Sequence, residues 1–463
     1  MASSIQPSRP ILLLGIVLTM LLAVANTARA SGTVSFGDIS IRTEPAPSIS
    51  TTRGYAALPV TITNDGNAPR TVTLVMRSDG FHSSGVAVNS LRRTFEVGPN
   101  AVVRSALYVP PADLQTGTAA VLIDGVRQRN DIDVGFPGHS APSVSWRGSS
   151  EAYGVLLSQR VPLGFVTAID DIRRTDRFQL LRTQRAEGDI SQWLGEWLAY
   201  TRYTAIVVTA EEWRSAPAAV RDAIATAVRA GGTLVVLADS LAFDHLEGLG
   251  IERSPGPQDE LTRSAMAGVA PLLKPLGFGF VATISPNTSA MNRASVLTSI
   301  LTESIRASQF GETDTLSDAE SRLQVAPDET LPVGGVMLIL AFVALILGPA
   351  NFIVMARLKR RPLLFVTTPT LALLFSGVVF AFGLFHDGTG VRVRSLSVTL
   401  LDQQASRATT FGQWGCFAPV PPPGGVSIAG DTLAWPVGTS YREWSDTAAV
   451  SYDLDQTDRP STS

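Results

Sequence analysis

Three groups of acids stand where an open α/β sheet would gather a ligand: Asp170 and Asp171 after GFVTAI, Thr209 with Glu211 and Glu212 after AIVV, and Asp239 with Ser240 after TLVVLA. Ligands of such sheets collect beyond the carboxyl ends of the strands. Carboxylates converging there, with Asp170, Asp171, Glu211 and Asp239 as the candidate set, could hold a divalent cation through oxygen ligands. Asp and Ser after a strand are also what a helix N-cap requires, and that reading outweighs the metal site. Other chemistry is scarce. Cys416 is the only cysteine, no G-x-S-x-G offers a serine elbow, and His245 in FDHLEGLG reads as a surface or cap residue. Lys274 in PLLKPLG is the one lysine apart from Lys359. With no thiol between residues 31 and 330 the chain is expected to be non-catalytic, and no cofactor is implied.

The elements that must position these acids follow from apolar period. GFVTAID is predicted as a short strand, RFQLLRT as another, ISQWLGEWLAY as a helix and AIVVTAE as a buried strand. A helix then starts at Ser215 and Pro217, carries Val220, Ile224 and Val228 on one face, and ends at Gly231-Gly232 before the strand TLVVLAD. Strands made of nearly continuous apolar runs, alternating with helices, predict a doubly wound parallel sheet over residues 149–290. A further helix and an acid-rich linker fill 291–330.

Residues 31–148 read as all-β. YAALPVTITND and TVTLVMR alternate apolar and polar positions through Leu58, Val60, Ile62 and Val72, Leu74, Met76, and the intervening NDGN predicts a hairpin. Further short strands at FEVGP, AVVRSALYVP and TAAVLIDG complete the spacing of a β-sandwich. TITNDGNAPRTVTL resembles the paired strands of bacterial immunoglobulin-like domains.

Two uncharged apolar runs, Val333–Met355 and Leu363–Phe385, flank RLKRR. At 1.5 Å per residue each would give about 34 Å of helix against a hydrocarbon core of about 30 Å. We therefore expect transmembrane helices at 331–356 and 362–385. Arg357, Lys359, Arg360 and Arg361 would hold the turn, 357–361, in the cytoplasm. Inside the first run Gly348, Pro349 and Asn351 predict a kinked, closely packed helix pair. At the N-terminus, the apolar stretch Ile11–Ala25 and the small-x-small pattern of Ala28 and Ala30 predict a signal peptide over 1–30, cleaved before Ser31. The chain carries 37 basic and 40 acidic residues. Loss of Arg9 and Arg29 with the signal moves the net charge from -3 to 35 - 40 = -5, which excludes a broad basic surface for nucleic acid. Residues 386–463 are left as a small exported β-rich tail.

The run YTRYTAIVVTAEEWRSAPAAVRDAIATAVRAGGTLVVLAD, the later GFGFVATISP and the segment GPANFIVMARLKRRPLLFVTTP are together similar to bacterial envelope proteins that carry a class I glutamine amidotransferase-like domain before a membrane hairpin. The resemblance covers about a third of the chain and implies an order of domains, with AAA ATPases and von Willebrand A-domain proteins as partners. Catalytic members need a cysteine on a strand-to-helix elbow with histidine and carboxylate partners, and here that cysteine is missing. The sequence expectation is thus a multidomain membrane protein of the bacterial cytoplasmic membrane. It comprises an N-terminal immunoglobulin-like β-sandwich, a doubly wound α/β (flavodoxin- or amidotransferase-like) domain, a two-helix transmembrane hairpin and a small C-terminal β segment. It would touch the lipid bilayer and other membrane or envelope proteins, and act as a scaffold or ligand-sensing component. The alternative is an exported hydrolase or carbohydrate-binding protein using the strand-end carboxylates.

Overall fold

The computed structural model describes residues 32–44, 54–77, 86–110, 118–134, 153–175, 178, 181–238, 246, 249, 272–308, 337, 341–359, 361–387, 392–403, 406–417, 432–434 and 448–453. The chain divides into two units. The first comprises Met1–Glu312, Leu400–Thr409 and Gly430–Ser463, and the second Thr313–Thr399 and Thr410–Ala429.

The first unit opens with nine strands: β1 (Thr33–Phe36), β2 (Ile39–Thr43), β3 (Ala56–Asn64), β4 (Arg70–Arg77), β5 (Val86–Val97), β6 (Ala101–Val109), β7 (Thr118–Ile123), β8 (Val126–Arg127) and β9 (Ile132–Asp133). One sheet has the order β1-β2-β3-β6; in the other β5, β4, β7 and β8 follow one another, with β9 also on β7. Alternation along β3 and β4 turns Leu58, Val60 and Ile62 toward Val72, Leu74 and Met76, and all six are buried in one core. The turn between β3 and β4 is not a hairpin. β3 pairs with β2 and β6, whereas β4 pairs with β5 and β7, so the NDGN turn carries the chain across the core from one sheet to the other. Buried Asn64 holds that crossing: its Nδ2 donates to the carbonyls of Ala68 and Gly98 at 2.8 and 2.9 Å, and its Oδ1 accepts from the Gly66 amide at 2.9 Å.

The α/β part runs β10 (Tyr153–Leu157), α1 (Leu163–Arg173), β11 (Leu181–Arg185), two 3-10 turns (Ile190–Gln192 and Trp197–Tyr200), β12 (Tyr203–Thr209), α2 (Ala210–Ser215), α3 (Ala218–Arg229), β13 (Thr233–Leu237), β14 (Leu272–Leu276), β15 (Gly279–Ile284) and α4 (Ala290–Ser308). Its sheet has the order β11-β10-β12-β13-β15-β14, parallel except for the antiparallel edge β14. Helices α1 and α4 cover one face through Phe165, Ile169, Ile172, Leu297 and Ile300. The other face takes Val220, Ile224 and Val228 of α3, each worth roughly 1.5–3 kcal/mol of burial. Two expected elements differ. GFVTAID lies in helix α1, and the expected helix ISQWLGEWLAY is reduced to the two 3-10 turns.

The sandwich and the α/β sheet share a core. Tyr55, Ala57, Ala106 and Tyr108, on the outer face of the β3–β6 pair, join the cluster that holds Leu198, Tyr200 and Tyr203. Gly54 makes the approach possible: its φ is +66°, and a Cβ there would lie 2.3 Å from the Thr201 carbonyl carbon. Next to it the Tyr55 amide donates to Thr201 Oγ1 at 3.0 Å, and the Tyr55 hydroxyl donates to the carbonyl of Ala434. Burial pushes the Tyr55 phenol up to about 12, and it raises Tyr108, Tyr200 and Tyr203 in the same direction. A phenol whose folded pKa exceeds its unfolded value of about 10 contributes stability that is complete below pH ~10 and is lost as pH climbs through the folded value. Urea midpoints should therefore fall between pH ~10 and ~12, and Tyr55→Phe should flatten part of that fall. An unchanged slope in Tyr55→Phe would remove Tyr55 from the account.

The second unit corrects the membrane assignment. Among the described residues no helix is long and apolar enough to cross a membrane, so the expected transmembrane hairpin, the multi-pass topology and the placement in a bacterial cytoplasmic membrane are overturned. The apolar surface that suggested spans is present, since Phe352, Phe365 and Leu373 are exposed. The first run passes through a π-helical turn, Ile346–Ala350, built around Pro349, which has no amide hydrogen to donate, and the short α5 (Asn351–Arg357) follows. The second run forms α6 (Leu364–Asp387), with Pro369 inside it. Gly348 and Pro349 do sit at an irregular turn, and Asn351 Nδ2 bonds across the pair to Thr367 and Thr368 Oγ1, both at 3.2 Å. Arg357, Lys359 and Arg361 flank the turn, where Lys359 takes a φ of +53°. Arg360, Ala28 and Ala30 lie outside the described residues.

Past α6, β16 (Arg392–Asp402) and β17 (Arg407–Phe417) form a two-stranded sheet. The last strand, β18 (Ala448–Asp453), returns to the first unit, where it pairs in parallel with β5.

Candidate functional site

In the sheet β11-β10-β12-β13-β15-β14 the chain leaves β10 in one direction for β11 and then crosses to β12 on its other side, so the switch point lies beyond Leu157 and Thr209. That is where a ligand of an open α/β sheet would sit. Here the position is filled by one side chain. Glu212, in the first turn of α2, is buried, and its carboxylate accepts four hydrogen bonds. Its Oε2 takes Ser158 Oγ at 2.5 Å, the Thr209 amide at 3.0 Å and Thr209 Oγ1 at 2.9 Å, and its Oε1 takes the Arg160 amide at 3.2 Å. Thr209 Oγ1 in turn accepts from the Glu212 amide at 3.2 Å, which closes a capping box at the start of the helix. The carboxylate joins the ends of β10 and β12 rather than facing solvent.

The rim of this point is charged. Arg160 Nη1 lies 3.0 Å from Glu211 Oε1 and its Nη2 lies 3.6 Å from Asp189 Oδ2. The amide of Ser191, first, and then the hydroxyl of that residue hold the Asp189 carboxyl below the usual range, with a smaller contribution from Arg160. Arg185 Nη2 donates to the carbonyls of Gln159 and Val161 at 2.6 and 3.3 Å, which fixes the loop after β10. Ser158 is itself buried and donates its hydroxyl proton to the Glu212 carboxylate.

Asp170 and Asp171 lie on α1, not at a strand end, and each faces an arginine one turn on, Arg173 at 3.9 Å and Arg174 at 3.2 Å. Glu211 is at the rim, paired with Arg160. Asp239, Ser240 and His245 lie outside the described residues. Among the described residues no three His, Cys, Asp or Glu side chains are grouped to hold a metal ion. Ser158 and Arg160 were missed because YGVLL, the strand that delivers them, was not recognised. Its five-residue apolar run directly before a Ser was the available signal.

No family model matches the chain, and no curated protein matches it. Among solved structures it is similar to a protein described as a putative beta-galactosidase from Bacteroides fragilis, at 14% identity and a TM-score of 0.18. That match covers 45% of this chain and 40% of the other; at so low a score it carries no argument about fold or activity.

Proposed function

We propose that this chain is a non-catalytic scaffold or ligand-sensing component of a larger assembly, with its α/β part a degenerate amidotransferase-like module. The observation that supports this reading is the filled switch point, where Glu212, bonded by Ser158, occupies the place an enzyme of this architecture would keep open. The sequence adds that no cysteine lies between residues 31 and 330, so an amidotransferase nucleophile has no candidate. A hydrolase using strand-end acids draws no support from Asp170 and Asp171, which ride on the outside of a helix. AAA ATPases and von Willebrand A-domain proteins, the classes implied by the resemblance, are the first partners to test.

The test combines turnover with capture. Purified full-length protein should release no ammonia from glutamine above the buffer rate, and affinity capture from its source cells should recover a stoichiometric protein partner. Glutamine turnover that is lost in Ser158→Ala would overturn the reading, and so would the absence of any stable partner.

A further inference from the structure

We infer that β18 is an exchangeable strand, and that the open edge of β5 is a strand-acceptor site whose partner is the β18 segment of a second copy of this chain. The inference is independent of the scaffold reading. In the sandwich every pair among β1 to β9 is antiparallel, whereas β18 joins β5 in parallel from the far end of the sequence. β4 covers β5 from Ser90 to Val97. β18 lies on the opposite edge of β5, paired from Val86 to Arg92, and slips register between Val450 and Ser451. Among the described strands it is also an edge strand, with β5 as its neighbour in the sheet order. Leaving β5 therefore breaks one ladder, and the same segment of another copy remakes that ladder bond for bond, which is the condition for low-cost strand exchange.

The reach is sufficient. The chain is tied to the first unit at Ala434, whose carbonyl accepts from the Tyr55 hydroxyl, and residues 435–447 then lead to β18. Those residues extend to at most about 45 Å, against a width of roughly 30–35 Å for a domain of about 100 residues. The strand can thus be donated across to a neighbour while its own anchor at Tyr55 stays in place.

Single-cysteine copies separate exchange within one chain from exchange between chains. In a Cys416→Ser background, one copy carries Val88→Cys and another Val450→Cys, positions paired in the register. Neighbouring strands lie about 4.8 Å apart, within the Cα separation a disulfide accepts. Incubated together under mild oxidation, the two copies are expected to form a mixed disulfide dimer, and its share should climb several-fold across an about hundredfold rise in concentration. The double variant in one chain reports whether β18 occupies β5 at all. If that variant closes its internal bridge while the mixed pair stays monomeric at every concentration, exchange is excluded and β18 is a fixed strand. If neither bridge forms, the acceptor site itself is refuted.

Discussion

Glu212→Ala is expected to destabilise the first unit by about 3–5 kcal/mol, read as a shift of the urea midpoint at unchanged slope. The estimate follows from what the carboxylate leaves behind. Ser158 Oγ and the amides of Thr209 and Arg160 all donate to it. A buried donor stripped of its acceptor costs roughly 1–3 kcal/mol, less wherever water can enter. The lost capping box alone would account for about 1 kcal/mol, the typical effect of removing an N-cap. Thr209→Ala therefore supplies the comparison: it removes the cap oxygen and leaves the bonds from Ser158 and Arg160 in place. If Glu212→Ala costs no more than Thr209→Ala, the carboxylate is a helix cap and nothing else, and the argument that it locks the ends of β10 and β12 falls.

How far such a site can be read from sequence depends on the distance over which its parts communicate. Val220, Ile224 and Val228 declare α3 because four-residue spacing is a local property, and the alternation through β3 and β4 declares two strands for the same reason. What those strands pair with is not local. NDGN has hairpin chemistry, yet the partner of β3 is β6, some forty residues on, and Asn64 turns the chain across the core instead. GFVTAID was too short for its period to separate strand from helix; only the longer stripe Phe165, Ile169 and Ile172, buried on one side, marks it as α1. Glu212 was visible as an acid after a strand. Its meaning comes from Ser158, 54 positions earlier, and from a sheet order that places β10 beside β12. The apolar runs around RLKRR misled in the opposite way: their composition fits a span, but a π-turn at Pro349 lies within the first of them, a feature that hydropathy averages away.

The junction between sandwich and α/β sheet carries the second large expected effect. Arg93 of β5 is 1% exposed, and its Nη2 makes a two-oxygen contact with Glu196, at 3.0 and 2.9 Å, just before the second 3-10 turn. Its Nη1 donates to the Ala106 carbonyl, its guanidinium lies 4.9 Å from the Tyr108 ring centre and 5.1 Å from that of Phe95, and Ser105 Oγ donates to Glu196 at 2.6 Å. Breaking a buried pair by removing one partner typically costs about 3–5 kcal/mol, because the other charge is left without compensation. Arg93→Met is expected to fall in that range by urea denaturation, and Glu196→Leu to approach it. The two losses should not add. Once both charges are gone the desolvation penalty is gone too, so Arg93→Met with Glu196→Leu should lose about 2–4 kcal/mol less than the sum of the single changes. The exposed pair Arg104–Glu44, at 3.4 Å, provides the contrast on the other sheet of the sandwich, with an expected cost below about 1 kcal/mol for Arg104→Ala. Strict additivity at Arg93 and Glu196 would mean that the two charges do not act on each other, and that the modules are held by the apolar cluster around Tyr55 and Tyr200 alone.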